Sequence, residues 1–116
     1  MRLACGRREL GIIGENMAED YLRKSGCIIL ERNYRCPHGE IDIIAAAENR
    51  VIFVEVKTRR TAVFGRPAEA VDGEKIRRIR RSAAHYLKYG SGEFADFSQI
   101  SFDVMEIMVE YREHAF

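Results

Sequence analysis

Asp42 is followed, after twelve intervening residues, by Glu55, and Lys57 comes two positions later. All three lie within "GEIDIIAAAENRVIFVEVKTR", Gly39 to Arg59, which reads as two apolar strands joined by a polar turn. An unpaired charge among buried strand residues is very costly, so these charges need a reason. Side chains alternate along a strand, which groups Asp42 with Glu40 and Ile44, and Glu55 and Lys57 with Phe53. If the strands fold back near Glu48–Arg50, Asp42 and Glu55 meet on one face. Two adjacent carboxylates repel unless a cation sits between them. Mg²⁺, or Mn²⁺, suits the place: it is a hard ion that takes carboxylate oxygens and keeps waters for a phosphate to displace. Lys57 would project toward the same point, to orient or activate a water and offset charge developing on the phosphate. The spacing alone is common, at ~0.3 matches per chain of this length. Its place inside apolar strands gives it weight. The plainer alternative is a structural ion pair between Lys57 and Asp42 or Glu55 at a wet sheet edge.

The elements that must position these groups follow from periodicity. "RRELGIIGENMAEDYLRKSG" carries Leu10, Ile13, Met17, Tyr21 and Leu22 at helical spacing, and Gly26 stops it, so a helix runs from about Arg8 to Lys24. "CIILERNYR" is rich in β-formers, "CPHG" is a turn, and "EIDIIAAA" and "VIFVEVKT" are strands. "RRTAVFGRP" is a loop; a second helix follows from about Ala68 to Tyr89, with Ile76, Ile79, Ala83 and Leu87 as its apolar stripe. "GSGEFADFS" is a loop, and "QISFDVMEIMVE" a last strand in which Ile100, Phe102 and Val104 alternate with Ser101 and Asp103. The order α-β-β-β-α-β predicts an antiparallel meander of three strands. The fourth crosses over to lie parallel to the third, giving one mixed sheet with a helix on each side.

With 116 residues, 47% hydrophobic and 32% charged, the chain is the size and composition of one globular domain. The start "MRLACGRREL" lacks the apolar segment of a signal peptide, and no apolar run is long enough to span a bilayer. Cys5, Cys27 and Cys36 form no paired spacing, which argues against a zinc site or disulfide framework and for reduced thiols in the cytoplasm. Cys36 and His38 on a turn are a weak metal pair.

Net charge is +1, but its distribution is polarised. Lys57 to Arg81 holds nine Lys/Arg against three Asp/Glu, while Ser91 to Phe116 holds six acids and one Arg. Lys75, Arg77, Arg78, Arg80 and Arg81 on the second helix, with Arg59, Arg60 and Arg66 before it, are suited to gripping phosphates of a nucleic-acid backbone. A solvated helix face is the plainer reading of such a run. Asp103 is an N–H acceptor or a buried partner for an arginine, and His38 and His85 are surface residues.

"GEIDII" followed by "FVEVKTR" resembles the core of the PD-(D/E)xK nuclease superfamily. The chain is more closely similar to the YraN family of predicted endonucleases, themselves similar to archaeal Holliday junction resolvases. "GENMAEDYL", "RNYR", "FGRPAEAV", the lysine of "EKIRRI" and "SFDV" extend the resemblance over nearly the whole chain. It implies a restriction-endonuclease-like α/β fold. It makes Asp42 and Glu55 the metal-binding acids, with the Val56 backbone carbonyl beside them, Lys57 the catalytic lysine, and Glu15 the helix glutamate beside the metal. Glu19, one turn on, is a lesser candidate, and Glu40 either assists the site or serves the turn. Ile41 stands where the namesake proline would be.

The expectation is a Mg²⁺- or Mn²⁺-dependent endonuclease acting on DNA, selective for branched shapes. A symmetric four-way junction would require a homodimer, for which "ISFDVMEIMV" offers an apolar surface. The alternatives are a nucleic-acid-binding module of the same fold with little or no catalysis, and an interaction protein whose charged strand site is a structural ion pair.

Overall fold

The computed structural model describes residues 5–60, 72–90 and 99–116. Their order is α1 (Arg7–Lys24), β1 (Ile28–Cys36), β2 (Gly39–Ala47), β3 (Arg50–Arg59), α2 (Gly73–Tyr89) and β4 (Gln99–Met108). Arg66, the motif "FGRPAEAV", the expected helix start near Ala68 and the loop 91–98 lie outside the described residues.

Short polar turns at Pro37–His38 and Glu48–Asn49 make β1, β2 and β3 an antiparallel meander. Gly39 has φ +146°, a conformation open to glycine, and an added Cβ would meet the Ser82 hydroxyl of α2 at 3.4 Å. β4 runs parallel to β3 from Arg50↔Gln99 to Arg59↔Met108, so the sheet order is β1-β2-β3-β4 and the mixed topology is as the sequence predicts.

β3 is buried on both faces, which explains its nearly continuous apolar run. Ile52 and Val54 pack with Ile43, Ala45, Ala18 and Leu22 under α1. Val51 and Phe53 pack with Ile41, Ile44, Ala83 and Tyr86 under α2. Emptying the Phe53 site to alanine costs about 3–5 kcal/mol.

Each helix buries only part of the stripe expected: Leu10, Leu22 and Ala83 are buried as the spacing implies, and the rest of each buried line differs. On α1 the buried line is Leu10, Gly14, Ala18 and Leu22, and Ile13, Met17 and Tyr21 lie exposed beside it. Small residues let the helix approach the sheet closely, and that contact outweighs side-chain hydrophobicity. A Cβ on Gly14 would overlap the Thr58 side chain of β3. On α2 the buried residues are Ser82, Ala83 and Tyr86, whereas Ile76 and Leu87 are exposed. The Tyr86 ring meets Tyr34 and Phe53 edge-on, at centroid distances of 5.2 and 6.1 Å. On edge strand β4 Ile100, Phe102 and Val104 stay exposed.

Strict alternation fails on β2. Ile41 and Ile44, three apart, both belong to the cluster under α2, while Ile43 faces α1. The strand therefore changes phase across Asp42, and the expected grouping of Asp42 with Ile44 gives way to a break at the site itself.

Candidate active site

The backbone ladder between β2 and β3 ends at Ile43↔Val54. Beyond it the Asp42 side chain substitutes for a strand carbonyl: its Oδ2 accepts the Val56 N–H at 2.8 Å. In an extended strand the N–H and C=O of one residue point to the same side, so the Val56 carbonyl is also directed at the gap that β2 leaves. Asp42 is pushed up to about 6. Burial is the largest cause, opposed by the Val56 hydrogen bond and reinforced by the negative charges of Glu55, Glu15 and Glu40. Glu55 is thus near enough for its charge to act on Asp42, although Asp42 sits at the break in β2 rather than on the Glu55 face as the strand pattern implied.

Glu55 continues the α2 face of β3 beyond Phe53. Its Oε1 is shared by two ammonium groups, Lys75 Nζ at 2.7 Å and Lys57 Nζ at 3.6 Å. Burial, and then the charge and hydrogen bonding of Lys75, hold Lys57 below the usual lysine range. Burial opposes the charge on Lys75 as well, but its bonds to Glu55 and Lys57 outweigh that and raise it. Lys75 thus holds its proton more tightly than an ordinary lysine, and Lys57 less tightly.

Lys75 was expected on the phosphate-gripping face, and the fold places it inside the carboxylate site instead. One signal for this is present in the sequence. Asp72 caps α2, its side chain accepting the Lys75 N–H at 2.8 Å, so Lys75 lies in the first helical turn. A cation is disfavoured there by the helix dipole, and an acidic partner elsewhere resolves the conflict.

Glu15 is brought to the same end of the sheet by the close approach of α1 at Gly14. It is near enough to raise Asp42, but its carboxylate rests on Arg32 of β1, at 3.2 Å. Arg32 also bonds Asn16 at 2.8 Å and Glu19 at 3.2 Å. Glu19 is further paired to Arg23 at 3.0 Å, and that bond is the main reason its carboxyl is held low. Sequence reasoning missed Arg32 as the residue that holds Glu15, although it begins the "RNYR" motif. Glu40 is exposed and lies 3.9 Å from Arg35.

Arg77, Arg78, Arg80 and Arg81 all lie on the exposed part of α2. Arg77 pairs with Glu74 at 2.7 Å, and the Arg80 guanidinium lies 5.1 Å from the Phe102 ring centroid. Arg59 is committed to Glu106 of β4 at 3.0 Å, and Arg60 is exposed. Asp103 is exposed and accepts from the Ser101 hydroxyl, rather than serving as a buried arginine partner. His38 is exposed, but His85 is half-buried with Nδ1 2.6 Å from the Tyr34 hydroxyl, which corrects its expected surface role.

Among the described residues no group of three or more His, Cys, Asp and Glu converges as a ready metal cage, and Cys36 with His38 makes none. The donors at the β2–β3 gap are two carboxylates and a backbone carbonyl, all oxygen. That set fits Mg²⁺ or Mn²⁺, which bind through one or two carboxylates and keep several waters, and it does not fit zinc, which favours His and Cys.

A model of the uncharacterised protein family UPF0102 matches residues 14–107, a span that holds every site residue named above. Similar proteins include a UPF0102 protein of Moorella thermoacetica, 50% identical over 107 residues, covering 92% of this chain and 87% of that protein. One of Syntrophomonas wolfei is 48% identical over 103 residues, covering 89% and 87%. One of Mycolicibacterium vanbaalenii is 43% identical over 106 residues, covering 91% and 85%.

Proposed function

The chain belongs to the UPF0102 family, and we propose that it is a metal-dependent endonuclease of the PD-(D/E)xK kind, hydrolysing phosphodiester bonds in DNA. The observation that supports this reading is the pairing of Asp42, pushed up to about 6, with Glu55, while Lys57 beside them is held below its usual range. Buried like charges beside a depressed lysine destabilise a fold, and they are arranged so at sites that do chemistry.

In this reading Asp42, Glu55 and the Val56 carbonyl hold a Mg²⁺ or Mn²⁺ ion. The ion, when bound, supplies Lewis-acid polarisation of the scissile phosphate and a more acidic water. Lys57 accepts or orients the proton of the attacking water, since its depressed pKa raises the neutral fraction near neutral pH. Asp42 is held in place at the gap by the Val56 N–H through its Oδ2. Glu15, held by Arg32, adds negative charge that favours the cation. The arginines of α2 position the nucleic-acid backbone without reading bases. Free thiols at Cys5, Cys27 and Cys36 suit a reducing cytoplasm.

The test is cleavage of a panel of DNA and RNA structures with Mg²⁺ or Mn²⁺, with Glu55→Ala as control. Metal-dependent cutting of DNA that is lost in the variant is the expected result. Metal-dependent cutting that survives Glu55→Ala refutes the site.

A second reading has its own observation: the 2.7 Å contact of Lys75 with Glu55 is also what a structural ion pair looks like. On that reading the chain binds nucleic acid or protein without catalysis, and Mn²⁺ titration shows no dependence on Glu55.

A further inference from the structure

Lys75 comes from a helix more than fifteen residues beyond Glu55, yet it makes the shorter of the two contacts to that carboxylate, 2.7 Å against 3.6 Å for Lys57. Its backbone is fixed by the Asp72 cap, so only the side chain can move. Its charge acts on Asp42 as well. A primary ammonium on a flexible stem therefore stands where two carboxylates would otherwise face each other, at the turn of α2 from which the basic run Arg77–Arg81 begins.

Resting on the nuclease reading, we propose that Lys75 is a tethered cation of the active site, which competes with a divalent ion for Glu55 and, when released, contacts the substrate phosphate. An ammonium 2.7 Å from Glu55 Oε1 and a divalent ion on the same carboxylate crowd like charges. Metal binding is therefore stronger when Lys75 turns away. The side chain that turns away lies beside the helix arginines, where an anionic backbone would be gripped. Loss of the Glu55 contact is then replaced by a phosphate contact, so metal and substrate binding favour each other. Lys57 remains on the same face of β3 and is free for the proton transfer.

The test is Mn²⁺ binding by the full chain without nucleic acid, followed by electron paramagnetic resonance and calorimetry. Lys75→Gln is expected to bind Mn²⁺ about tenfold tighter than wild type, because the competitor is gone. Lys75→Arg keeps a cation in place and is expected to stay within about threefold of wild type. Lys88→Gln, the same charge change at the far end of α2, is expected to leave the affinity unchanged. In the second arm, the affinity of a short DNA duplex with Ca²⁺ is expected to fall about fivefold in Lys75→Gln, although its metal site is tighter.

Opposite signs in the two arms separate this role from a structural one, in which metal and DNA affinity fall together. Glu55-dependent Mn²⁺ binding with no gain in Lys75→Gln, or an equal gain in Lys88→Gln, overturns the role of Lys75 and leaves the nuclease reading standing. If Lys75→Gln is unfolded, Lys75→Arg with weakened Mn²⁺ binding overturns it as well. Wild-type Mn²⁺ binding that is absent, or unchanged in Glu55→Gln, overturns the metal site and this proposal with it.

Discussion

Asp42→Asn should stabilise the metal-free protein at neutral pH and above, and not at pH 3.5. Burial and the neighbouring carboxylates carry the Asp42 carboxyl from 3.8 to about 6. A carboxyl whose folded pKa lies above its unfolded value holds its proton more tightly in the folded state. Its ionisation therefore leaves stability intact below pH 3.8, erodes it as pH rises through about 6, and leaves it reduced at every higher pH. Full conversion corresponds to about 3 kcal/mol at pH 7.5, and solvent reaching the half-open carboxylate reduces this to about 2 kcal/mol. In a domain of this size that is about 8 °C in Tm.

Asparagine keeps an oxygen for the Val56 N–H, so the hydrogen bond at 2.8 Å survives and only the charge is lost. The assay is urea unfolding of wild type and variant from pH 3.5 to 8 in chelator. The difference between them should be near zero at pH 3.5 and should open between pH 4 and 6.5 in favour of the variant. Adding Mn²⁺ at one hundred times its Kd should then return about 2.7 kcal/mol to wild type and little to Asp42→Asn. A difference that is flat with pH, or that favours wild type at neutral pH without metal, refutes the account of Asp42.

The docking of α1 predicts that Gly14→Ala costs about 1–3 kcal/mol by overpacking against Thr58, and that Thr58→Ala in the same chain recovers part of it, as a double-mutant cycle of urea midpoints would show. The basic helix predicts a log–log salt slope for duplex binding of about −3.6 for four phosphates, flattened when Arg77, Arg78, Arg80 and Arg81 become Gln; an unchanged slope removes α2 from the interface. Backbone contacts without a base-reading element predict that four-way junctions and flaps are bound and nicked ahead of linear duplex, whatever the sequence. Competition at fixed salt checks this, and cutting confined to one linear sequence defeats it.

The sheet was legible because the signals were local: runs of apolar β-formers, turn residues at Pro37–His38 and Glu48–Asn49, and a helix between β3 and β4 that forces a parallel return. The helix faces were less so. Hydrophobicity pointed to Met17 and Tyr21 on α1 and Leu87 on α2, but helix-to-sheet contact selected Gly14, Ala18 and Ser82, whose small size is a weak signal in a list of residues; Ala83 was already in the expected stripe. Of the site, Asp42, Glu55 and Lys57 could be found because charges in an apolar strand are locally anomalous. Arg32 could not, because an arginine on an edge strand looks ordinary until the fold brings it to Glu15, and the one signal for Lys75, a cation in the first turn of a helix, does not say that Glu55 is its partner.

The phase change in β2 accounts for why these groups can coexist at all. Had β2 continued its ladder past Ile43, backbone carbonyls would occupy the Val56 N–H and close the gap. Because Ile41 returns to the α2 cluster, Asp42 is left between the two faces, with Glu55 and Lys75 on one side and Glu15 and Arg32 on the other. The two helices thus each deliver one charged residue to a single break in the sheet, α1 through the close contact at Gly14 and α2 through its first turn at Asp72. Glu15 and Glu55 each have a cation in direct contact, whereas Asp42 has only the Val56 N–H as its direct partner among the described residues and feels the Lys75 charge at longer range. It is the one carboxylate in the group that is pushed up to about 6, and in the nuclease reading a divalent ion supplies the direct positive partner that it lacks.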